Sequence, residues 1–170
     1  MAKVAAVLIN NPLPVRQYIG VEVVPKPAIP IIIIPTTAGT GSEVSNAAIL
    51  KDDITHIKGG VMSHHIAPTI AIIDPLLTLS LPPRLTGSTG IDALTHTIEG
   101  YVAVKAIPMT ELYHKEAIKL ISQNLRTAVS RGSDVEARYN MSLSAMLAGI
   151  GMATAGVGAV HALAYPMEGK

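Results

Sequence analysis

The chain has 170 residues, with 13 Lys+Arg against 12 Asp+Glu and a formal net charge of +1. Near-neutral charge and only five Tyr, with no Trp or Phe, argue against a nucleic-acid binder, which needs a basic face and stacking rings. The absence of Cys excludes a disulfide scaffold and any Cys-ligated metal or iron–sulfur site, and a hydrophobic content of 49% excludes disorder.

In chain order, residues 2–8 read as the end of a helix. Residues 28–35 (AIPIIIIP) form a β-branched run bounded by prolines, which predicts a short, fully buried strand. A glycine-rich loop follows directly at 36–43 (TTAGTGSE). Strands are predicted over 44–50 and 54–61, joined as a hairpin around Lys51-Asp52-Asp53, and a second buried strand over 69–73 is closed by Asp74-Pro75. From Leu81 the texture turns helical, with Pro82-Pro83 in a first turn and Ser80 as its cap. Residues 90–104 read as helix. Over 110–131, Ile118, Ile121, Leu125 and Ala128 recur at three- and four-residue spacing, opposite Lys115, Lys119, Gln123 and Arg126. Gly132 ends that helix and Ser133 caps the next. The fold class expected is therefore α/β followed by all-α, with a boundary near residue 80.

Residues 139–167 carry no Asp, Glu, Lys or Arg, a length that could span a bilayer. Gly149, Gly151, Gly156 and Gly158 interrupt the run, and Ser142, Ser144, Thr154 and His161 lie inside it. That composition suits closely packed helices in a soluble all-helical domain, and no membrane association is expected. The N-terminal segment lacks the features of a signal peptide, so a cytoplasmic location is expected.

Three groups of residues could carry chemistry. Asp92 and His96, in GIDALTHTIEG, stand four apart and project from one helix face, as two ligands to a divalent transition metal would. Glu99 is placed to orient His96. Asp-x-x-x-His is also common by chance, and on spacing alone an ordinary polar pair on a solvated face is the plainer reading. His161 lies in the least polar part of the chain, where it needs a hydrogen-bond partner or a metal; a satisfied core histidine is the plainer reading. Together the three make a two-His-one-carboxylate set suited to Fe²⁺, Zn²⁺ or Mn²⁺. In the 36–43 loop, Gly39 and Gly41 allow backbone N–H groups to approach a ligand, and Thr36, Thr37, Thr40 and Ser42 add hydroxyls. It matches neither a Walker loop nor GxGxxG, and an ordinary glycine-rich loop is the alternative. Lys58, beside Gly59-Gly60, reads as a surface lysine unless a cofactor lies near, and the adjacent His64-His65 read as a polar loop.

The stretches IPTTAGTGSEVS, TIAIIDPLLTLSLPPRLTGSTGIDALTHTIEGYV and AGVGAVHALAYP together resemble the iron-containing (group III) alcohol dehydrogenases, in the same order and across essentially the whole chain. The resemblance implies a dehydroquinate synthase-like fold: residues 1–80 as the second half of a dinucleotide-binding α/β domain, and residues 81–170 as the first half of an all-helical metal-binding domain. It implies hydride transfer between an alcohol, or its aldehyde or ketone, and NAD or NADP. It implies Fe²⁺, or in some members Zn²⁺, on Asp92, His96 and His161, with no catalytic residue apart from the metal site. It also implies cofactor contacts at Thr36, Thr37, Thr40, Lys58 and the stretch around Leu79. A homo-oligomer is expected, with a small alcohol or aldehyde as partner.

The family's fourth ligand, a His, and its glycine-serine pyrophosphate segment fall outside these residues. The resemblance therefore implies an internal fragment, inactive alone. Two other readings stay open from sequence: a non-catalytic metal- or nucleotide-binding module, and a membrane-associated helical protein built on 139–167.

Overall fold

The computed structural model describes residues 1–12, 14–51 and 58–167. Helix α1 (Ala2–Leu8) opens the chain, and its Val4 and Val7 are buried. They pack with Tyr18, Val24, Ala48, Val61 and Ile66 in a first core. The amine of buried Lys3 donates to the carbonyls of Ser45 (2.6 Å) and Ala47 (3.0 Å), which ties α1 to the neighbouring strand.

The hairpin expected around residue 51 is present. Strand β3 (Ala47–Lys51) pairs antiparallel with β4 (Lys58–Met62), from Ala47 opposite Met62 to Lys51 opposite Lys58. The turn expected at Asp52-Asp53 and residues 54–57 of the expected strand lie outside the described residues. A two-residue strand, β1 (Gly20–Val21), adds in parallel to β4 and gives the order β1-β4-β3.

The two runs expected to be buried strands pair with each other. Within 28–35 only β2 (Ile32–Ile33) joins a ladder, parallel to β5 (Ile70–Ala71). Neither is fully buried: Ile31 is inside, while Ile32, Ile34, Ile70 and Ile72 are exposed. Pro30 and Pro35 supply no N–H at the ends of the run, which keeps its ladder short. A parallel pair is buried only when helices cover both faces, and no described residue covers these isoleucines that way. A single 3-10 turn (Pro75–Thr78) follows, with the Asp74 side chain accepting from Leu76 N–H.

Four helices follow among the described residues: α2 (Pro83–Tyr101), α3 (Pro108–Ser130), α4 (Val135–Ala155) and α5 (Ala159–Met167). Two caps differ from expectation. Pro82, not Ser80, precedes α2, because Pro83 already takes its first helical position. Asp134, not Ser133, caps α4, its carboxylate accepting from Ala137 N–H. The buried stripe of α3 runs through Thr110, His114, Ala117, Ile121 and Ala128, with Ala117 in the place expected for Ile118.

A second core joins Ala93, Ile121, Ala128, Ala137, Met141 and Ala145 of the helices with Ala38 of the glycine-rich loop. Its many alanines let α2, α3 and α4 approach closely. The uncharged run 139–167 is broken at Gly156, whose φ of +82° ends α4, so it forms two helices. Among the described residues no helix is long and apolar enough to cross a membrane.

Candidate functional site

Asp92 and His96 lie one turn apart on α2, and His161 reaches them from α5. One ligand atom from each of the three lies within 4.8 Å of the others. His96 Nε2 is 3.9 Å and His161 Nε2 is 3.7 Å from Asp92 Oδ1. Those separations are too long for hydrogen bonds, yet they bring three donor atoms to one point. The two imidazoles stack, with centroids 4.5 Å apart and planes 17° from parallel.

Burial sets the protonation of His96. Desolvation pushes its proton affinity below the usual histidine range, and His161 pushes the same way, while Asp92 opposes. The neutral ring is the form that ligates a metal. Among the described residues its buried Nδ1 has no hydrogen-bond partner of good geometry, although the Gly39 backbone lies near enough to favour the protonated ring slightly.

His161 is held differently. Its Nδ1 lies 2.5 Å from Glu99 Oε2. A carboxylate only accepts, so Nδ1 carries the proton and donates it, and Nε2 is the nitrogen left facing Asp92. Glu99 was expected to orient His96, but the structure gives it to His161. The helical spacing of three from His96 to Glu99 leaves its carboxyl pointing to the seam with α5, where the Val160 N–H also donates to it at 2.6 Å.

The donor set fits a divalent ion. It combines one carboxylate with two imidazoles, and both His are nearly fully buried. A pair on a solvated face accounts for neither the burial nor the convergence from two helices.

The 36–43 loop comes to the same place. Gly39 is buried against α2, where a Cβ would stand 2.7 Å from both Cβ and the carbonyl oxygen of Thr89, one turn before Asp92. Gly41, with φ +58°, rests on Gly149 of α4. The loop leaves Thr36 and Thr40 exposed and Thr37 half-buried, with Thr40 Oγ1 accepting from Ser42 N–H. Leu79 follows the 3-10 turn that packs on α4. Lys58 opens β4, across the hairpin from Lys51.

Residues 86–170 match the Fe-containing alcohol dehydrogenase family, C-terminal, and residues 1–75 match iron-containing alcohol dehydrogenase. The chain belongs to the iron-containing alcohol dehydrogenase family. It is 47% identical to long-chain-alcohol dehydrogenase 1 of Geobacillus thermodenitrificans, over all of this chain and 43% of that protein. It is 40% identical to the NAD-dependent methanol dehydrogenase of Bacillus methanolicus, over 99% of this chain and 44% of that one. Among solved structures, the alcohol dehydrogenase from Oenococcus oeni superposes with a TM-score of 0.94 at 38% identity, covering 97% of this chain and 43% of the other. The sulfoacetaldehyde reductase from Bifidobacterium kashiwanohense in complex with NAD⁺ superposes with a TM-score of 0.91 at 34% identity, covering 97% and 44%. The chain thus spans less than half the length of these relatives. The small mixed sheet followed by a helical bundle is a partial iron-containing alcohol dehydrogenase fold.

One buried polar residue escaped the sequence reading. His114 on α3 is fully buried, and neither ring nitrogen has a hydrogen-bond partner among the described residues. Desolvation lowers its proton affinity, and His96 adds to the effect. The signal was present: His114 lies three residues before Ala117 and seven before Ile121, on the stripe that faces the core.

Proposed function

We propose that this chain contributes the metal-binding cluster and part of the cofactor site of an oxidoreductase. The reaction is hydride transfer between an alcohol, or its aldehyde or ketone, and NAD or NADP. The observation that carries the reading is the convergence of Asp92, His96 and His161 within 4.8 Å from two helices, in a chain of this family. In this reading, residues 1–80 belong to the dinucleotide-binding part and residues 81–170 to the helical metal-binding part.

When bound, Fe²⁺ or Zn²⁺ would supply Lewis acidity to a substrate oxygen, and the dinucleotide would accept or donate the hydride. The chain's own residues prepare the place. Asp92 brings the negative charge and His96 stays neutral through burial. His161 presents Nε2 because Nδ1–H is engaged by Glu99. Thr36, Thr37 and Thr40 carry hydroxyls on a loop whose Gly39 abuts α2 one turn before Asp92, and these hydroxyls would contact the dinucleotide. Lys58 and Leu79 are further cofactor contacts in the same proposal, as are a cytoplasmic setting and self-association.

The test is metal content. After loading with Fe²⁺ or Zn²⁺ and desalting, the chain is expected to retain about one ion, and an Asp92→Ala, His96→Ala double variant to retain none. A parent chain that keeps no ion, or a double variant that keeps it, overturns the metal reading. In the intact protein, formation of reduced dinucleotide from primary alcohols, absent in the double variant, checks the reaction class.

A further inference from the structure

Helix α5 delivers His161, yet it is the least embedded of the helices. Its packing among the described elements is chiefly against α2, and Val160, Leu163 and Met167 on it are exposed. Glu99 stands at that seam, 7% exposed. Its Oε1 accepts from Val160 N–H at 2.6 Å and its Oε2 accepts from His161 Nδ1–H at 2.5 Å. Gly158 comes close enough that a Cβ there would stand 3.0 Å from Oε1. Two N–H groups thus converge on this carboxyl, one on each oxygen, and a carboxylate accepts from both.

We propose that Glu99 is a positioning residue with two coupled tasks: it fixes His161 as the Nδ1–H tautomer, and it seats the start of α5 on α2. The proposal rests on the metal-cluster reading above for its consequence, but its geometry does not need an ion. Both tasks require two acceptors on one group, because two N–H donors converge on it. A carboxylate is all acceptor, whereas the nearly isosteric amide of glutamine offers one acceptor and one donor group.

Glu99→Gln is therefore frustrated in either orientation. If its NH₂ faces Val160 N–H, two donors are opposed and α5 loosens. If its NH₂ faces His161, Nδ1 must accept, the proton moves to Nε2, and the atom nearest Asp92 can no longer ligate. Fixing a ligating histidine through its second nitrogen is worth about 10- to 100-fold in metal affinity.

Three measurements test this, two of them on metal-free protein. Imidazole ¹⁵N spectra are expected to show His161 protonated at Nδ1 in the parent chain and shifted toward Nε2–H in Glu99→Gln. Amide exchange is expected to rise about tenfold or more over 159–167 in that variant, with α2, α3 and α4 unchanged. Metal affinity by chelator competition is expected to fall about 10- to 100-fold, with a smaller loss in Glu99→Asp, which keeps both acceptors. An unchanged tautomer with unchanged exchange in Glu99→Gln overturns the proposal. If the parent chain binds no ion, the metal reading fails while the first two readouts still decide the role of Glu99. Should Glu99→Gln not fold, Glu99→Asp carries the comparison: a retained tautomer with weakened affinity supports the proposal, and unchanged affinity overturns it.

Discussion

Gly41 of the glycine-rich loop and Gly149 of α4 meet backbone to backbone. A Cβ on Gly149 would stand 2.7 Å from both the Cα and the carbonyl oxygen of Gly41. The Val44 side chain stands there too, at 2.8 Å, but repacking it would not clear the Gly41 backbone, so a substitution must move the loop. Gly149→Ala is expected to cost about 1–3 kcal/mol in denaturant unfolding, as overpacking does. It should also weaken dinucleotide binding, read by calorimetric titration, because the loop that carries Thr36 and Thr40 shifts with Gly41. Gly41→Ala should cost more, since φ +58° adds backbone strain to the collision.

His114 is wedged between two other glycines. A Cβ on Gly100 of α2 or Gly151 of α4 would collide with its ring. Gly151→Ala is expected to destabilise the fold by about 1–3 kcal/mol. In combination with His114→Ala the two losses should fall short of additive by about 1 kcal/mol, because the truncated side chain leaves room for the methyl group. Urea midpoints of the four-member cycle check this, and strict additivity would show that the ring does not fill that gap.

Arg138 is a buried clamp on the helical part. Its Nε donates to the Gly132 carbonyl (2.9 Å), Nη1 to Thr86 Oγ1 (2.8 Å) and Nη2 to the Leu81 carbonyl (3.2 Å). One side chain thus joins the start of α4 to the α3–α4 connection and to the entry of α2. Arg138→Met removes all three bonds and leaves the Leu81 carbonyl only a long contact from the Thr86 hydroxyl, at a cost of about 2–4 kcal/mol. A shift of the urea midpoint with unchanged slope is the expected result.

Lys3 predicts a pH dependence. Burial lowers the pKa of its amine from 10.5 to about 8, against a smaller opposing pull from Glu43. Below pH 8 the amine is charged in both folded and unfolded chains, and the burial cost is fully present. Between about 8 and 10.5 the unfolded chain binds more protons, so unfolding free energy rises with pH across that window, by up to about 3 kcal/mol from this group. Chemical denaturation at stepped pH should show the rise in the parent chain. Lys3→Met should remove it, and the difference between the two curves isolates Lys3 from other groups titrating there.

Much of this molecule can be read from its residues. The helices from Pro83 onward follow from periodicity, prolines and glycines, and the hairpin joining β3 to β4 from its flanking strands. Asp92 and His96 are visible as an i,i+4 pair, and with His161 they carry the family motif. Hydrogen-bond competition hid other features. Asp134 caps α4 because a carboxylate reaches Ala137 N–H, although Ser133 stands one residue earlier. The partner of Glu99 lies 62 residues away, and no local spacing could distinguish it from His96. The runs 28–35 and 69–73 have the composition of buried strands, but burial depends on what lies above and below them. His114 was hidden because a lone histidine on an apolar stripe reads first as part of the stripe.

The parallel pairing of β2 and β5 also bears on the order in which the chain folds. Ile31 and Thr69, which hydrogen-bond beside that ladder, lie 38 residues apart, so a long loop must close before any pairing energy is gained. Helices α2, α3 and α4 are consecutive, and each meets the next across a short connection. Local contacts of that kind form sooner than distant strand pairs. The helical surface that receives Gly39 and Gly41 therefore stands ready before the strand leading into their loop has found its neighbour, and docking of the loop onto α2 and α4 gives the late-forming strands a fixed point from which to register.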